Sequence, residues 1–388
     1  MWKLLIYLLP IILLPDVLIG LAHLRHAPQL WRILLLCVPT LVLLVLLLLQ
    51  LLGVHEAWVL RLSFALMLLV VLPKVAFLLV DGAGWLLGLA CRQTVVAQWG
   101  TRVALVLAVA LALVQTYGLT WGWQRLQTVR HDVPVAGLPQ AFGGYRVVHL
   151  SDLHVGTFAA HPEFLERVVD SVNALRPDLI LFTGDMVNHE TDEIRPFLST
   201  LSRLHAKDGV LSVLGNHDYQ VYSHRFTLRQ RAEQVQALIA LQQSMGWTVL
   251  CSEHRAITRG TDTLYVAGVQ NVSHPPYPSH GRLADALRGI PATGCTLLLT
   301  HDPWHWRHGV VHHTQVALTL SGHTHAMQFR VGSFSPVKWI SPEWGGLYTQ
   351  NRQCLFVSTG IGAVVPYRIG AWPQIDLLVL QPDKSGGL

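Results

Sequence analysis

Along the first third of the chain the apolar positions run together instead of alternating. Residues 33–55 and 103–124 contain no Lys, Arg, Asp or Glu, and the second stretch ends in Tyr117, Trp121 and Trp123. About 20 mostly apolar residues are enough to cross a bilayer, whose core offers no partner to an exposed backbone, and aromatics at the end suit the headgroup level. Two further stretches are apolar but interrupted, 4–24 by Pro10, Pro15 and Asp16, and 62–80 by Pro73 and Lys74. A charge there must reach a neighbour, a cavity or the interface. The pattern predicts about four membrane spans, at 4–24, 33–55, 62–80 and 103–124. Lys3 followed by Leu4–Leu9 also fits a cleaved leader, but no small-x-small site follows and more spans come after, so a span is expected.

After residue 124 the rhythm changes. Residues 125–144 are richer in Gly, Pro and charge and read as a linker. From Tyr145 short apolar, β-branched runs alternate with polar clusters and helical stretches: RVVHL (146–150), DLILF (178–182), GVLSVL (209–214), TLLLT (296–300), VALTL (316–320), CLFVS (354–358) and DLLVL (376–380). Runs of that length bounded by turn formers predict strands buried on both faces. Residues 162–175 and 226–245 carry helical periodicity, and 247–270 look like a hairpin. The chain therefore divides into a transmembrane region (1–124), a linker (125–144) and an α/β layered domain (145–388), with chemistry expected in the loops past the strand ends.

Charge sharpens this division. Charged residues make up 13% of the 388, against about 25% in an ordinary soluble chain. Only ten of them lie in residues 1–120, and the other 268 residues hold 41. So apolar a chain is not disordered. The Lys/Arg bias of the short loops does not orient it: Lys3, Arg61, Arg125 and Arg130 fall on one side, Arg25, Arg32, Arg92 and Arg102 on the other. Five scattered cysteines without CxxC spacing read as ordinary thiols, which favours a reducing compartment and hence the cytoplasmic face for the α/β domain. The net charge of +5 forms no basic stripe, so anionic headgroups are a better partner for it than nucleic acid.

Five of the strands share one property. SDLHVG after RVVHL carries Asp152 and His154; TGDMVN after DLILF carries Asp185; GNHDY after GVLSVL carries Asn216, His217 and Asp218. His301 and Asp302 follow TLLLT, and SGHTHAMQ after VALTL carries His323 and His325. Residues at i and i+2 just past a strand can both reach one cleft where the backbone turns. Singly each motif is commonplace, and GNHD alone would pass for a turn. Five strand ends in order, each with a metal donor, are not. A mixture of imidazoles, carboxylates and an amide without thiolate suits Mn, Fe, Zn or Co rather than a structural cysteine-zinc site. Seven donors are too many for one ion and suit two that share a carboxylate.

With that series in view, residues 145–380 resemble the calcineurin-like metallophosphoesterase superfamily, whose motifs D-x-H, G-D, G-N-H, H and G-H-x-H are all matched. More closely the chain is similar to its membrane-anchored bacterial branch, which includes phosphodiesterases and a UDP-2,3-diacylglucosamine pyrophosphatase. The resemblance implies a four-layer α/β/β/α sandwich behind the bundle of about four transmembrane helices. It implies one divalent ion held by Asp152, His154, Asp185 and His325, and a second held by Asp185, Asn216, His301 and His323, with Asp185 bridging. His217 would be the non-ligand imidazole over the scissile phosphate. One departure stands out: Ala326-Met327-Gln328 replaces the commoner Gly-Gly-Gln.

Other segments leave alternatives open. Asp218 or Asp302 either orients an imidazole or is a solvated loop carboxylate. Residues 329–348, with Trp339, Trp344 and Tyr348, form either a lid or groove for an amphiphile, with Arg330, Lys338 or Arg368 meeting a phosphate, or a packed loop. The histidines of HPPYPSH (274–280) read as surface residues, and one of those in HWRHGVVHH (305–313) could orient a ligand imidazole. The expected protein is a multi-pass protein of the bacterial cytoplasmic membrane that hydrolyses a phosphodiester or pyrophosphate bond, in a lipid-type or nucleotide-linked substrate. The alternatives are a tethered phosphodiesterase for soluble substrates and a non-catalytic sensor or accessory protein.

Overall fold

A computed structural model of the chain describes residues 2–24, 29–54, 56–223, 225–275 and 278–383. Arg25 of the loop tally and residues 276–277 of HPPYPSH lie outside this set. Two compact units result, Met1–Trp121 and Gly122–Leu388.

The first unit contains helices α1 (Trp2–Ile19), α2 (Leu30–Leu51), α3 (Ala57–Leu66), α4 (Leu72–Cys91) and α5 (Thr94–Thr120). They build four stretches long and apolar enough to cross a membrane: Tyr7–Leu24, Leu30–Leu51, Ala57–Cys91 and Thr94–Gln124. The third and fourth start earlier than the charge pattern suggests, and the third also ends later, because its internal charges find partners within the unit. The Lys74 ammonium donates to Asp16 Oδ1 at 2.5 Å, to the Leu36 carbonyl at 2.5 Å and to Thr40 Oγ1 at 2.8 Å. Asp81 accepts from Thr101 Oγ1 at 2.6 Å and lies 2.9 Å from His23 Nε2. Arg102 sits over the Trp99 ring. Between α3 and α4 the turn widens over Met67–Val71, just ahead of Pro73, whose ring and missing N–H do not fit a regular turn. α4 packs on α5 where Gly84 faces Gly100, a Cβ on either coming within about 2.6 Å of the other's Cα. Small residues let helices approach in this way in a bilayer.

The second unit is built on two six-stranded sheets. One holds β1 (Gln127–Val135), β2 (Arg146–Leu150), β3 (Leu179–Phe182), β4 (Val210–Ser212), β5 (Thr248–Val249) and, from the end of the chain, β12 (Gln374–Pro382), in the order β1-β12-β2-β3-β4-β5. The other holds β6 (Glu253–Arg259), β7 (Asp262–Gly268), β8 (Cys295–Leu299), β9 (Leu318–Ser321), β10 (Gly346–Gln350) and β11 (Gln353–Val357), in the order β10-β11-β9-β8-β7-β6. Alternate residues serve different layers. Leu179 and Leu181 meet Leu297 and Leu299 in the core between the sheets, while Ile180 and Phe182 join the core on the other face of their sheet. That outer core includes Phe164 and Val168 of helix α6 (Pro162–Ala174), Leu201 of the single turn α7 (Leu198–Leu201) and Val235 and Leu238 of α8 (Leu228–Ser244). On the far face of the second sheet Leu298 of β8 packs with Trp306, Val310 and Ala286 of α9 (Leu283–Leu287). The result is the expected four-layer α/β/β/α sandwich.

Two local findings differ from the sequence pattern. Residues 125–144, read as a linker from their composition, contain the nine-residue β1, paired in parallel with β12 from Gln127↔Gln374 to Val135↔Pro382. Its alternating burial is an edge strand's signature, hidden by Pro134 and the flanking glycines. Within 247–270 only β6 and β7 form the hairpin, while Thr248–Val249 pairs with β4 in the other sheet.

Candidate metal centre

β2, β3 and β4 run parallel as neighbours in one sheet, and β8 and β9 do so in the other. Because the sheets stack face to face, the loops leaving these five strands converge on one pocket. Asp152, His154, Asp185, Asn216, His301, His323 and His325 all meet there, and His217 stands beside them. Three groups have ligand atoms mutually within 4.8 Å: Asp152, His154 and His325; His154, Asp185 and His217; Asp185, His301 and His323.

The backbone is bent hard to achieve this. Asp152, His154, Asp185, His323 and His325 all have positive φ, between 46° and 70°, a region that costs side chains about 1–2 kcal/mol per residue and is tolerated where surrounding structure enforces it. The glycines of the G-D, G-N-H and G-H-x-H motifs make room. A Cβ on Gly215 would come 2.2 Å from Asp185 Oδ1, and one on Gly322 2.2 Å from Asp152 Oδ2. Ala326 and Met327, which stand where Gly-Gly is commoner, also have φ of 50° and 46°. The backbone thus keeps the left-handed turn at the cost of strain.

Hydrogen bonds then fix which nitrogen each imidazole offers. His154 Nδ1 lies 2.9 Å from Asn188 Oδ1, and His301 Nδ1 lies 2.8 Å from the Thr183 carbonyl. Both leave Nε2 turned inward, 3.7 Å and 3.1 Å from Asp185 Oδ2. Such outer contacts are how proteins orient metal-binding histidines. His323 Nδ1 lies 2.9 Å from Asn216 Oδ1 and 3.2 Å from His301 Nε2. His325 Nε2 is 3.5 Å from Asp152 Oδ1. His217 Nδ1 donates to the Asn188 carbonyl at 2.6 Å, its ring lies against Tyr222 with centroids 4.4 Å apart, and its backbone N–H donates to Asp185 Oδ1.

The electrostatics are those of donors gathered for a cation. Burial lowers His154 to about 3, helped by the charge of His217, and lowers His325 to about 3. Both are therefore neutral, as a ligand must be. Burial also acts to lower His301, but the Asp185 carboxylate outweighs it and pushes that imidazole up to about 10. Asp185 in turn would be raised by burial, yet the charges of His301 and His217 hold it well below the usual carboxylate range. The buried nitrogens His154 Nε2 and His325 Nδ1 have no hydrogen-bond partner. A buried polar atom without a partner is costly. Divalent metal suits these residues: two carboxylates and neutral imidazoles, one with its inward nitrogen unpartnered, share one buried pocket.

Several residues were legible only as alternatives, and others not at all. Asp218 is fully buried, and its carboxylate accepts the backbone N–H groups of Asp185, Met186, Val187 and Gly215. It shapes the Asp185 loop and orients no imidazole. Burial and the charge of Asp185 raise it to about 7 against those four donors. Asp302 lies 3.9 Å from His323 Nε2. Asn188 escaped notice, although the G-D-x-x-N spacing was its signal. Arg368 is buried and donates to the carbonyls of Thr359, Gly360, Gly362 and Ala371. Of the tryptophans in 329–348, Trp344 is core and Trp339 is exposed. His274 and His280 are exposed, as expected of a loop. In HWRHGVVHH, His305 bonds Thr300 and His308 stacks on Trp304, so their partners are scaffold residues.

Beside the pocket lies a cavity of about 510 Å³, lined by Asn216, His323 and Asp302 at one end and by Tyr219, Trp304 and Ile340 among others.

Residues 145–327 match the family model for the calcineurin-like phosphoesterase. Among curated proteins, the chain is 28% identical over 301 residues to a transmembrane protein with metallophosphoesterase domain of Danio rerio, covering 74% of this chain and 65% of that protein. It is 30% identical over 263 residues to the protein of the same description from Bos taurus, covering 64% and 56%. It is 23% identical over 321 residues to a UDP-2,3-diacylglucosamine pyrophosphatase of Chlamydia trachomatis, covering 67% and 92%. The chain thus spans 56–65% of the length of the first two relatives.

Proposed function

Because the chain carries a calcineurin-like phosphoesterase domain and four helices long and apolar enough to cross a membrane, we propose that it is a membrane-bound, metal-dependent phosphohydrolase. The reaction is hydrolysis of a phosphodiester or pyrophosphate bond in a lipid-type or nucleotide-linked substrate. The observation that carries this reading is the convergence of two carboxylates, four imidazoles and the Asn216 amide on one buried pocket, with His217 at its side.

Asp152, His154, Asp185 and His325 would hold one divalent ion, and Asp185, Asn216, His301 and His323 a second, with Asp185 shared. The donor set, which lacks thiolate, suits Mn, Fe, Zn or Co. Bound there, the ions supply an acidified water at neutral pH and neutralise the phosphoryl oxygens. The protein's own part is to present and to protonate. Asn188 and the Thr183 carbonyl lock the tautomers of His154 and His301. His217 has its Nδ1 engaged with the Asn188 carbonyl, leaving Nε2 to carry a proton to the leaving oxygen. The apolar lining of the adjacent cavity and the diacylated substrate named for the Chlamydia relative support an amphiphilic substrate. Five free cysteines support a catalytic unit on the cytoplasmic face, which a reporter fused to the C-terminus would test.

The decisive experiment measures bound metal and hydrolysis in detergent-solubilised protein, with Asp185→Asn and His323→Ala beside the parent. Loss of metal and of hydrolysis with an unchanged circular dichroism spectrum is expected; full activity in either variant would sink the assignment. Activity on bis-p-nitrophenyl phosphate but not on UDP-diacylglucosamine would replace the lipid-type substrate with a soluble diester.

A further inference from the structure

Among the described residues of the second unit, the large apolar side chains left exposed are unevenly placed. Met327, Val331, Phe334, Trp339, Ile340 and Leu347 fall within one stretch of 21 residues, and only Tyr222 and Leu228 lie elsewhere. Trp339 and Ile340 are each 78% exposed. A contiguous apolar patch on a folded domain marks an interaction surface.

Looseness does not explain the exposure, because the segment is pinned from beneath. Val337 and Trp344 pack with Ala326 and Ala371 in a small core of their own. Ser335 Oγ donates to the Ala326 carbonyl at 2.7 Å. Val331 and Phe334 close a turn through paired backbone hydrogen bonds of 2.9 and 3.0 Å. The Phe334 and Trp339 rings meet edge to face with centroids 5.5 Å apart. The loop is thus held while its tryptophan and isoleucine project into solvent.

Charge and position identify the occupant. Residues 327–347 contain Arg330, Lys338 and one acid, Glu343, which is buried and paired with Arg307, so the exposed patch is apolar with a cationic rim. Tryptophan beside basic residues is the composition of the bilayer interface, where indole sits at the headgroup level and cations meet anionic lipid. The same chain carries membrane-type helices. Ile340 and Val337 also line the 510 Å³ cavity that reaches Asn216 and His323, so the patch continues into the groove beside the metal-ligand cluster.

We propose that residues 327–347 form a lipid-facing surface that lies in the interfacial zone of an anionic bilayer and passes the apolar part of a substrate from the bilayer into the groove. The delivery role rests on the phosphohydrolase reading; the lipid contact does not.

The test uses the full chain in nanodiscs of phosphatidylcholine and phosphatidylglycerol, with Cys37, Cys91 and Cys251 replaced by Ala. A nitroxide is placed at Trp339→Cys or, as a control on α8, at Leu228→Cys. Collision with oxygen should dominate at position 339 and collision with a nickel chelate at position 228. Equal nickel access at both positions overturns the proposal, as does shielding of position 339 from both reagents, which would mean a protein partner. A second arm compares hydrolysis by Trp339→Asp and by the parent. A fall of about tenfold on an acyl-bearing phosphodiester, with bis-p-nitrophenyl phosphate unaffected, is expected. An equal fall on both, or none, removes the delivery role. A parent inactive on both substrates refutes the phosphohydrolase reading, while the nitroxide result still decides the surface.

Discussion

Both units bury charge among apolar side chains, and they resolve it in opposite ways. In the helical unit the Lys74 ammonium has three donors and all three are used, on Asp16, Thr40 and a backbone carbonyl. In the α/β unit Asp152 and Asp185 are surrounded by histidines, yet His154 Nε2, which faces Asp185, makes no hydrogen bond. The first arrangement is complete as it stands. The second has the donor set that a cation would complete. A buried polar cluster that satisfies itself therefore reads as architecture, and one that does not reads as a site.

The comparison breaks most sharply if the second cluster needs no metal. Chelation should lower hydrolysis by roughly a thousandfold and lower the melting temperature of the α/β unit by several degrees, with Mn or Zn restoring both. Scanning calorimetry with and without chelator, alongside the rate, checks this; an unchanged melting temperature would count against a resident metal. Next in size is the self-contained pair. Lys74→Met strands the Asp16 carboxylate and should cost about 3 kcal/mol in detergent, whereas Asp16→Leu with Lys74→Met should recover most of it. Equal losses in the single and double variants would show that the pair does more than neutralise itself. Asp218→Asn comes third. It sets an amide against backbone N–H groups that now meet a carboxylate, and a loss of about 2 kcal/mol in chemical denaturation is expected. The smallest effect belongs to Met327→Gly. Relief of its left-handed backbone, less the extra freedom of the unfolded chain, leaves a gain of about 0.5 kcal/mol, visible as a small upward shift in melting temperature.

The site was legible to the extent that its chemistry is local. Asp152, His154, Asp185, Asn216, His217, His301, His323 and His325 each stand within a few residues of a recognisable buried strand, so the motifs disclosed them before any fold was known. Asn188 and the true partners of Asp218 were harder to find. Neither holds an unusual residue type, and their roles depend on a turn that brings residue 188 against 154 and residue 218 against 185. Arg368, one of three cations left open as a phosphate contact, was undecided for the same reason: the carbonyls that claim it lie at 359–362 and 371, and only the folded chain brings them to it. β1 was missed because its partner strand lies about 250 residues away, a distance at which no periodicity can signal pairing.

By itself the sequence determined that there are four apolar stretches, that an α/β layered domain follows, and which donors stand at its strand ends. All three are local: run length, period and residue type. Tertiary structure alone decided that Lys74 may lie inside a span, because Asp16 arrives from another helix. It also decided which nitrogen His154 and His301 offer, because Asn188 comes from the neighbouring strand's loop and the Thr183 carbonyl from the facing sheet. Likewise it placed Trp339 in solvent and Trp344 in the core, five residues apart. Burial and hydrogen-bond partnership are properties of a packed arrangement, and a list of residues does not contain them.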